Sequence, residues 1–249
     1  MRLLRFLIIF TLCLMIAFSA AAAGFSMETR PVADAERVLK GYDGSYVYLY
    51  FGSYPYTAAG EVEPCLWRVL ETENDYAFLL NEYVVDMSTF HHVKTDQPSW
   101  KDYDIFGFIN GEMLDTMFTA EEQDLLQPSV ELGRLFILDN LEFMKLSYGF
   151  EHVLTQPLAS RKCLPTPYAI KKGAYVHKNR MTTYWSRSCR HTAAGGYEHI
   201  VGYDGHISMS GFLRACGIRP ACRVDITRLT GVSGSGTKND PYRFSTILP

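Results

Sequence analysis

Short apolar runs broken by turn residues dominate the two ends of this chain, whereas its middle carries apolar positions at helical spacing. Val47-Tyr48-Leu49-Tyr50-Phe51 is a β-rich run stopped by Gly52. Leu66 to Leu70 predicts a second strand, and Tyr76 to Leu80 a third after the polar turn Glu73-Asn74-Asp75. Together these make a meander. In the middle, Ser99 with Asp102, Thr119 with Glu122 and Asp139 with Glu142 have the spacing of capping boxes. Each precedes apolar residues on one helical face: Ile105, Phe108 and Ile109, then Leu125 and Leu126, then Leu141, Met144 and Tyr148. A β-like run, Leu135 to Leu138, separates the second helix from the third. Residues 150–180 read as loop, interrupted by Pro157, Pro165, Pro167 and Gly173. Strands resume at Thr182 to Ser186, Glu198 to Val201, Ile207 to Met209 and Ile218 to Val224, with Tyr203-Asp204-Gly205 as a hairpin turn. Strands, then helices, then strands predict an α+β fold.

The ends do not follow this pattern. Residues 1–23 read as a signal peptide: Arg2 and Arg5 precede an apolar stretch from Phe6 to Phe18, and Ala21 and Ala23 offer a small-residue cleavage site before Gly24. The competing reading is an uncleaved anchor. Residues 24–44 mix small and charged types and read as a poorly ordered lead-in. The domain is expected over 45–228, and 229–249 as a polar tail, since Gly231 to Asp240 is rich in glycine and polar residues. This places the protein outside the cytoplasm, in a periplasm or at a cell surface, with the leader as its one link to a membrane.

Charge and cysteine content narrow the partners. Without the leader, 22 basic residues face 27 acidic ones, a net charge of −5 with no basic cluster. That argues against nucleic acid or anionic lipid. Sixteen tyrosines suit a glycan or protein contact surface, and equally a secreted β-rich domain. Five cysteines remain: Cys65, Cys163, Cys189, Cys216 and Cys222. In an oxidising compartment an odd number leaves at least one unpaired, and no C-x-x-C supports a zinc or thioredoxin-type site.

The chemistry concentrates in two runs, Tyr184-Trp185-Ser186-Arg187-Ser188 and Gly217-Ile218-Arg219-Pro220-Ala221. Each sets an arginine in a stretch that reads as buried strand, and a guanidinium stripped of water needs compensating partners. Arg187 and Arg219 therefore either brace one core network, with an acid such as Asp225 or Asp86, or line one cleft that holds an anion or glycan. Trp67, Trp100 and Trp185 suit a sugar-stacking platform, but their apolar settings favour core positions. His91-His92 is the one histidine doublet, yet neighbours on a strand face opposite ways and chelate poorly. His191, His199 and His206 lack the spacing of a specific metal site. No metal or other cofactor is assigned.

Seven short motifs fall in an order that resembles a family of secreted bacterial domains of unknown function. They are Tyr-Pro at 54–55, Glu-Pro-Cys-Leu-Trp-Arg-Val-Leu at 63–70, Ser-Trp-Lys-Asp-Tyr-Asp-Ile at 99–105 with Ile-Asn at 109–110, Arg-Leu-Phe-Ile-Leu at 134–138, Thr-Pro-Tyr-Ala at 166–169, Trp-Ser-Arg-Ser at 185–188 and Gly-Ile-Arg-Pro-Ala at 217–221. Pairing of a tryptophan strand with a closing Gly-Ile-Arg strand is similar to sulfatase-modifying (formylglycine-generating) and C-type-lectin-like folds, which would imply a single compact domain with two to three helices on a twisted, partly antiparallel sheet and long loops on one side. Cys189 and Cys222 depart from the family pattern, which implies a lineage-specific Cys189–Cys222 disulfide with Cys216 as rival partner. Export, the tyrosine content and the long polar loops 150–180 and 189–197 point to a non-catalytic domain, resembling C-type-lectin-like modules, that binds a surface glycan or an envelope protein through its loop face. Its candidate binding residues are Tyr184, Trp185, Arg187, Arg219 and Asp225. A thiol- or metal-dependent enzyme and a structural part of a cell-surface assembly are the alternatives.

Overall fold

A computed structural model of the protein describes residues 32–92, 99–192 and 195–248, and the side chains of all of these except 189–192 and 195–196. The expected leader lies outside the described residues. The meander forms as expected: β1 (Tyr48–Pro55), β2 (Val62–Glu73) and β3 (Tyr76–Asn81) pair antiparallel. Asn74 makes their second turn with a φ of 50°, a left-handed conformation that asparagine tolerates. Two later strands complete this sheet, β12 (Ala221–Asp225) beside β3 and β6 (Leu135–Phe136) at the edge.

A second five-stranded sheet has the order β10 (Ile207–Gly211), β9 (Gly195–Val201), β8 (Tyr184–Thr192), β11 (Ala215–Ile218), β5 (Asp86–Thr89). The β8–β11 pair is parallel and the others are antiparallel. The amides of Phe90 and His91 both donate to the Phe212 carbonyl, at 3.0 and 3.3 Å. The chain leaving β5 thus bonds to the turn that carries β10 into β11, the strand beside β5.

The chain passes between the sheets at two adjacent crossings. After β3 it runs through Asn81-Glu82 and β4 (Tyr83–Val84) into β5, with β4 paired to β7 (Leu164–Pro165). After β11 it runs through Arg219-Pro220 into β12, so the expected strand from Ile218 to Val224 is two strands in two sheets. Proline supplies no amide for a ladder. The Pro220 carbonyl instead accepts from Asn81, at 2.9 Å, and the Ile218 carbonyl from Val85, at 3.0 Å. Gly217 makes this approach close: a Cβ there would stand 2.5 Å from Val84 Cγ1 and 2.7 Å from the Thr183 carbonyl oxygen. Gly217→Ala should therefore cost about 2–3 kcal/mol in urea unfolding. A change within the error of that measurement would contradict the tight crossing.

All three capping boxes form. Ser99 and Thr119 exchange hydrogen bonds with Asp102 and Glu122, and the Asp139 and Glu142 carboxylates receive each other's amides. The first leads into a helical segment, 104–117, whose middle, Ile109–Met113, widens into a π turn. The third opens a single 3₁₀ turn, Glu142–Met144, because Lys145 turns extended. Ile105, Ile109, Met113 and Met117 pack with Trp67, Leu79, Phe90 and Trp185 in one hydrophobic cluster. Phe78, Phe136, Phe143, Phe150 and Tyr184 anchor another.

Both expected boundaries move outward. Within the supposed lead-in, Asp34–Val38 is helical, and Ala35 and Leu39 are buried in the first cluster. The supposed tail is a hairpin of β13 (Leu229–Ser233) and β14 (Arg243–Ile247). Its Thr230 hydroxyl and Gly231 amide donate to Asp34 Oδ2 at 2.8 and 2.7 Å, and the Tyr50 amide donates to the Tyr242 carbonyl. The glycines that suggested slack chain sit at its turns, Gly234 and Gly236 both with positive φ. Among the described residues no helix is long and apolar enough to cross a membrane.

Candidate functional site

Arg219 leaves β11 at the second crossing and turns inward, 1% exposed. Its Nε donates to the Asn81 carbonyl at 2.8 Å and its Nη1 to the Tyr184 hydroxyl at 3.2 Å. Beside it Arg68 donates from Nε to Glu82 Oε2 at 2.7 Å and stacks 4.5 Å above the Tyr46 ring. Lys238, from the C-terminal hairpin, reaches Glu82 Oε1 at 2.7 Å. Burial pushes the Glu82 carboxyl up, but the charges of Arg68, Arg219 and Lys238 outweigh it and hold the group below its ordinary value. This is a structural ion cluster at the joint between the sheets.

Arg187 goes elsewhere. Its Nη1 donates to the Ile137 carbonyl (2.7 Å) and Glu142 Oε2 (2.6 Å), and its Nη2 to Asp139 Oδ2 (2.9 Å). The expected neighbourhood of the two strands holds, with Gly217 opposite Tyr184, but the shared network or cleft does not form. The 135–142 segment runs along β8, its Leu138 carbonyl taking the Arg187 amide, and so presents Asp139 and Glu142 within reach. Neither Asp225 nor Asp86 is the partner. Asp225 closes the turn after β12 by accepting from the Thr227 amide and hydroxyl. Asp86 takes Tyr54 and Lys172, at 2.7 and 2.8 Å.

Of the candidate binding residues, the structure joins only Tyr184 and Arg219, and seals both. Trp185 is fully buried, its Nε1 donating to the Ser88 carbonyl at 2.8 Å and its ring 5.2 Å from Phe90. Trp67 is likewise core, and Trp100 donates to the Leu132 carbonyl. These side chains are engaged in packing and internal hydrogen bonds.

The expected Cys189–Cys222 bridge is not formed. Cys222 is a free thiol in the first sheet between Leu79 and Leu135, whereas Cys189 lies on β8 of the second, its side chain outside those described. Cys216 is free as well, as are Cys65 and Cys163. Burial pushes the Cys216 thiol up to about 11 and drives Cys65 and Cys222 upward too, the opposite of what activates a nucleophile.

His91 and His92 lie beyond β5, so the opposite-faces argument does not govern them. Both Nδ1 atoms stand 2.8 Å from Asp104 Oδ2. His199 points at the Ser188 carbonyl and His206 at Asp204, so these two do not converge, and the His191 side chain lies outside those described. Among the described residues no group of three or more metal-ligating side chains is assembled. Glu198 on β9 is more unusual. It is 1% exposed, Oε2 has no partner among the described residues, and burial, partly offset by a hydrogen bond with Tyr103, pushes its carboxyl up to about 7.

A solvent-facing arrangement appears where the loop after Lys171 meets the β9–β10 turn. The His177 and Tyr203 rings stack with centroids 3.8 Å apart and planes 12° apart. Tyr175, 54% exposed, stands 6.4 Å from each ring. The loop is pinned: His177 receives the Arg180 amide and gives its own to Met181, while Asn179 accepts from the Met181 amide and donates to the Tyr203 carbonyl at 3.3 Å. Arg180 sits at a φ of 69°, rare for a side-chain-bearing residue. Counting tyrosines in aggregate and reading 150–180 as loop missed this group. Tyr175-Val176-His177 in a proline-free stretch opposite a tyrosine-bearing hairpin turn was the available signal. Compared with family models, curated proteins and solved structures, the chain matches none.

Proposed function

We propose that this protein is an exported, non-catalytic module that binds a surface glycan through the Tyr175–His177–Tyr203 platform. The observation that carries the reading is an exposed aromatic group on a loop held rigid by its own hydrogen bonds. Flat aromatic faces accept the apolar side of a pyranose, and a pinned loop loses little entropy on binding. Lys178, Asn179 and Arg180 rim the platform with donors for sugar hydroxyls. The pairing of the Trp185 strand with the Gly217-Ile218-Arg219 strand supports a C-type-lectin-like or sulfatase-modifying-like arrangement as the parent architecture. Export rests on the leader read in residues 1–23.

Retention on insoluble chitin, cellulose and peptidoglycan tests the reading. The protein should be retained by at least one, and Tyr175→Ala with His177→Ala should weaken retention about tenfold or more at unchanged melting temperature. No retention on any polysaccharide, or equal retention of the double variant, would overturn it.

A further inference from the structure

Strand register assembles a second, unrelated recess. Arg223 on β12 lies opposite Phe78 on β3, which lies opposite Glu71 on β2; two residues on, the next rung of the same face carries Asp225, Tyr76 and Glu73 in the same order. A cleft of about 220 Å³ opens over these two rungs, lined also by Asn74 and Gln127. Phe78 and Tyr76 form its apolar side. The Arg223 guanidinium is held 4.9 Å from the Phe78 ring and 5.8 Å from Phe136, and makes no ion pair among the described residues.

The acids around it are not equivalent. Glu71 is already paired with Lys145, at 3.1 Å, and accepts from the Tyr148 hydroxyl, at 3.0 Å. Asp225 is committed to Thr227. Glu73 has no such partner among the described residues and stands two strands over and two residues along from the arginine, roughly 12 Å between backbones. One free cation and one free carboxylate therefore face each other across aromatic rings. A simple anion would meet the glutamates, and a simple cation would meet Arg223, so neither suits the recess.

We infer that this cleft binds a free α-amino acid, its carboxylate on Arg223, its ammonium on Glu73 and its side chain against Phe78 and Tyr76. Guanidinium–carboxylate pairing is the strongest of these contacts because it is charge-assisted and two-pronged. Titration calorimetry of the whole chain tests it, with phenylalanine, leucine and glutamate as probes beside N-acetylphenylalanine and phenylalaninamide. At least one free amino acid should bind in the ~0.1–1 mM range. Both blocked derivatives should bind at least about tenfold more weakly than phenylalanine, since each lacks one charge. Arg223→Gln and Glu73→Gln should each weaken binding by a similar factor, and the exposed Glu73 change should leave the melting temperature intact. No saturable heat with any free amino acid at ~10 mM, equal binding of a blocked derivative, or full affinity in Glu73→Gln would each overturn the assignment.

Discussion

Glu82→Gln should destabilise the protein by about 3–5 kcal/mol at neutral pH, measured by urea unfolding. The substitution keeps volume and shape but removes the carboxylate that faces Arg68, Lys238 and, through the shared buried space, Arg219. Arg68 and Arg219 then remain desolvated without a counter-charge, and stranding buried cations costs far more than an ion pair contributes net. Lys238→Gln is the matched control. That side chain is nearly half exposed, and its loss should cost under about 1 kcal/mol. The pH dependence has a definite sign. Glu82 is held below its ordinary value, so its stabilisation is present at neutral pH and fades as pH falls through the depressed pKa. Parent and variant should converge in acid. A neutral-pH difference below about 1 kcal/mol would mean that the joint is not held by charge.

Glu198 should act in the opposite direction. Its carboxyl is raised from an ordinary 4.5 to about 7, so between those values the folded protein holds a proton that the unfolded chain has released. Stability from this group is present below the ordinary value and is lost as pH rises through the folded one. The loss is about 3 kcal/mol at most, from the size of that shift. Glu198→Gln should flatten the slope between about pH 5 and pH 8 and be the more stable form at the upper end. Urea midpoints at the two pH values measure this directly. Asp104, beside His91 and His92, is depressed instead and contributes only further into acid. An unchanged slope in Glu198→Gln would place the titration elsewhere.

Local rules were readable from the chain, and long-range ones were not. The three capping boxes, the meander and the Tyr203-Asp204-Gly205 turn, where Gly205 takes a φ of 87°, depend on neighbours a few residues apart. The 218–224 run misled because its apolar character is the same on either side of Arg219-Pro220, while the chain changes sheets there. Alternation cannot report that; the proline was the hint. The glycine-rich end misled in a similar way, since Leu229, Val232, Phe244 and Ile247 were too thinly spaced to signal a hairpin. Both arginines were rightly marked as needing partners. Which partners they find depends on the 135–142 segment and the 81–85 crossing, tens of residues away. The surface platform and the Arg223 recess arise only from loop packing and strand register, so no contiguous motif announces either.

The two crossings lie side by side, and this has a mechanical consequence. In many two-lobed proteins a single connection lets one half melt while the other survives. Here strands of each sheet continue covalently into the other at neighbouring points, stitched by the Asn81–Pro220 and Val85–Ile218 amide links. Peeling one lobe away would tear the ladder of its mate. The molecule therefore has no natural fracture plane, and damage to either half should be felt as an all-or-none collapse of both.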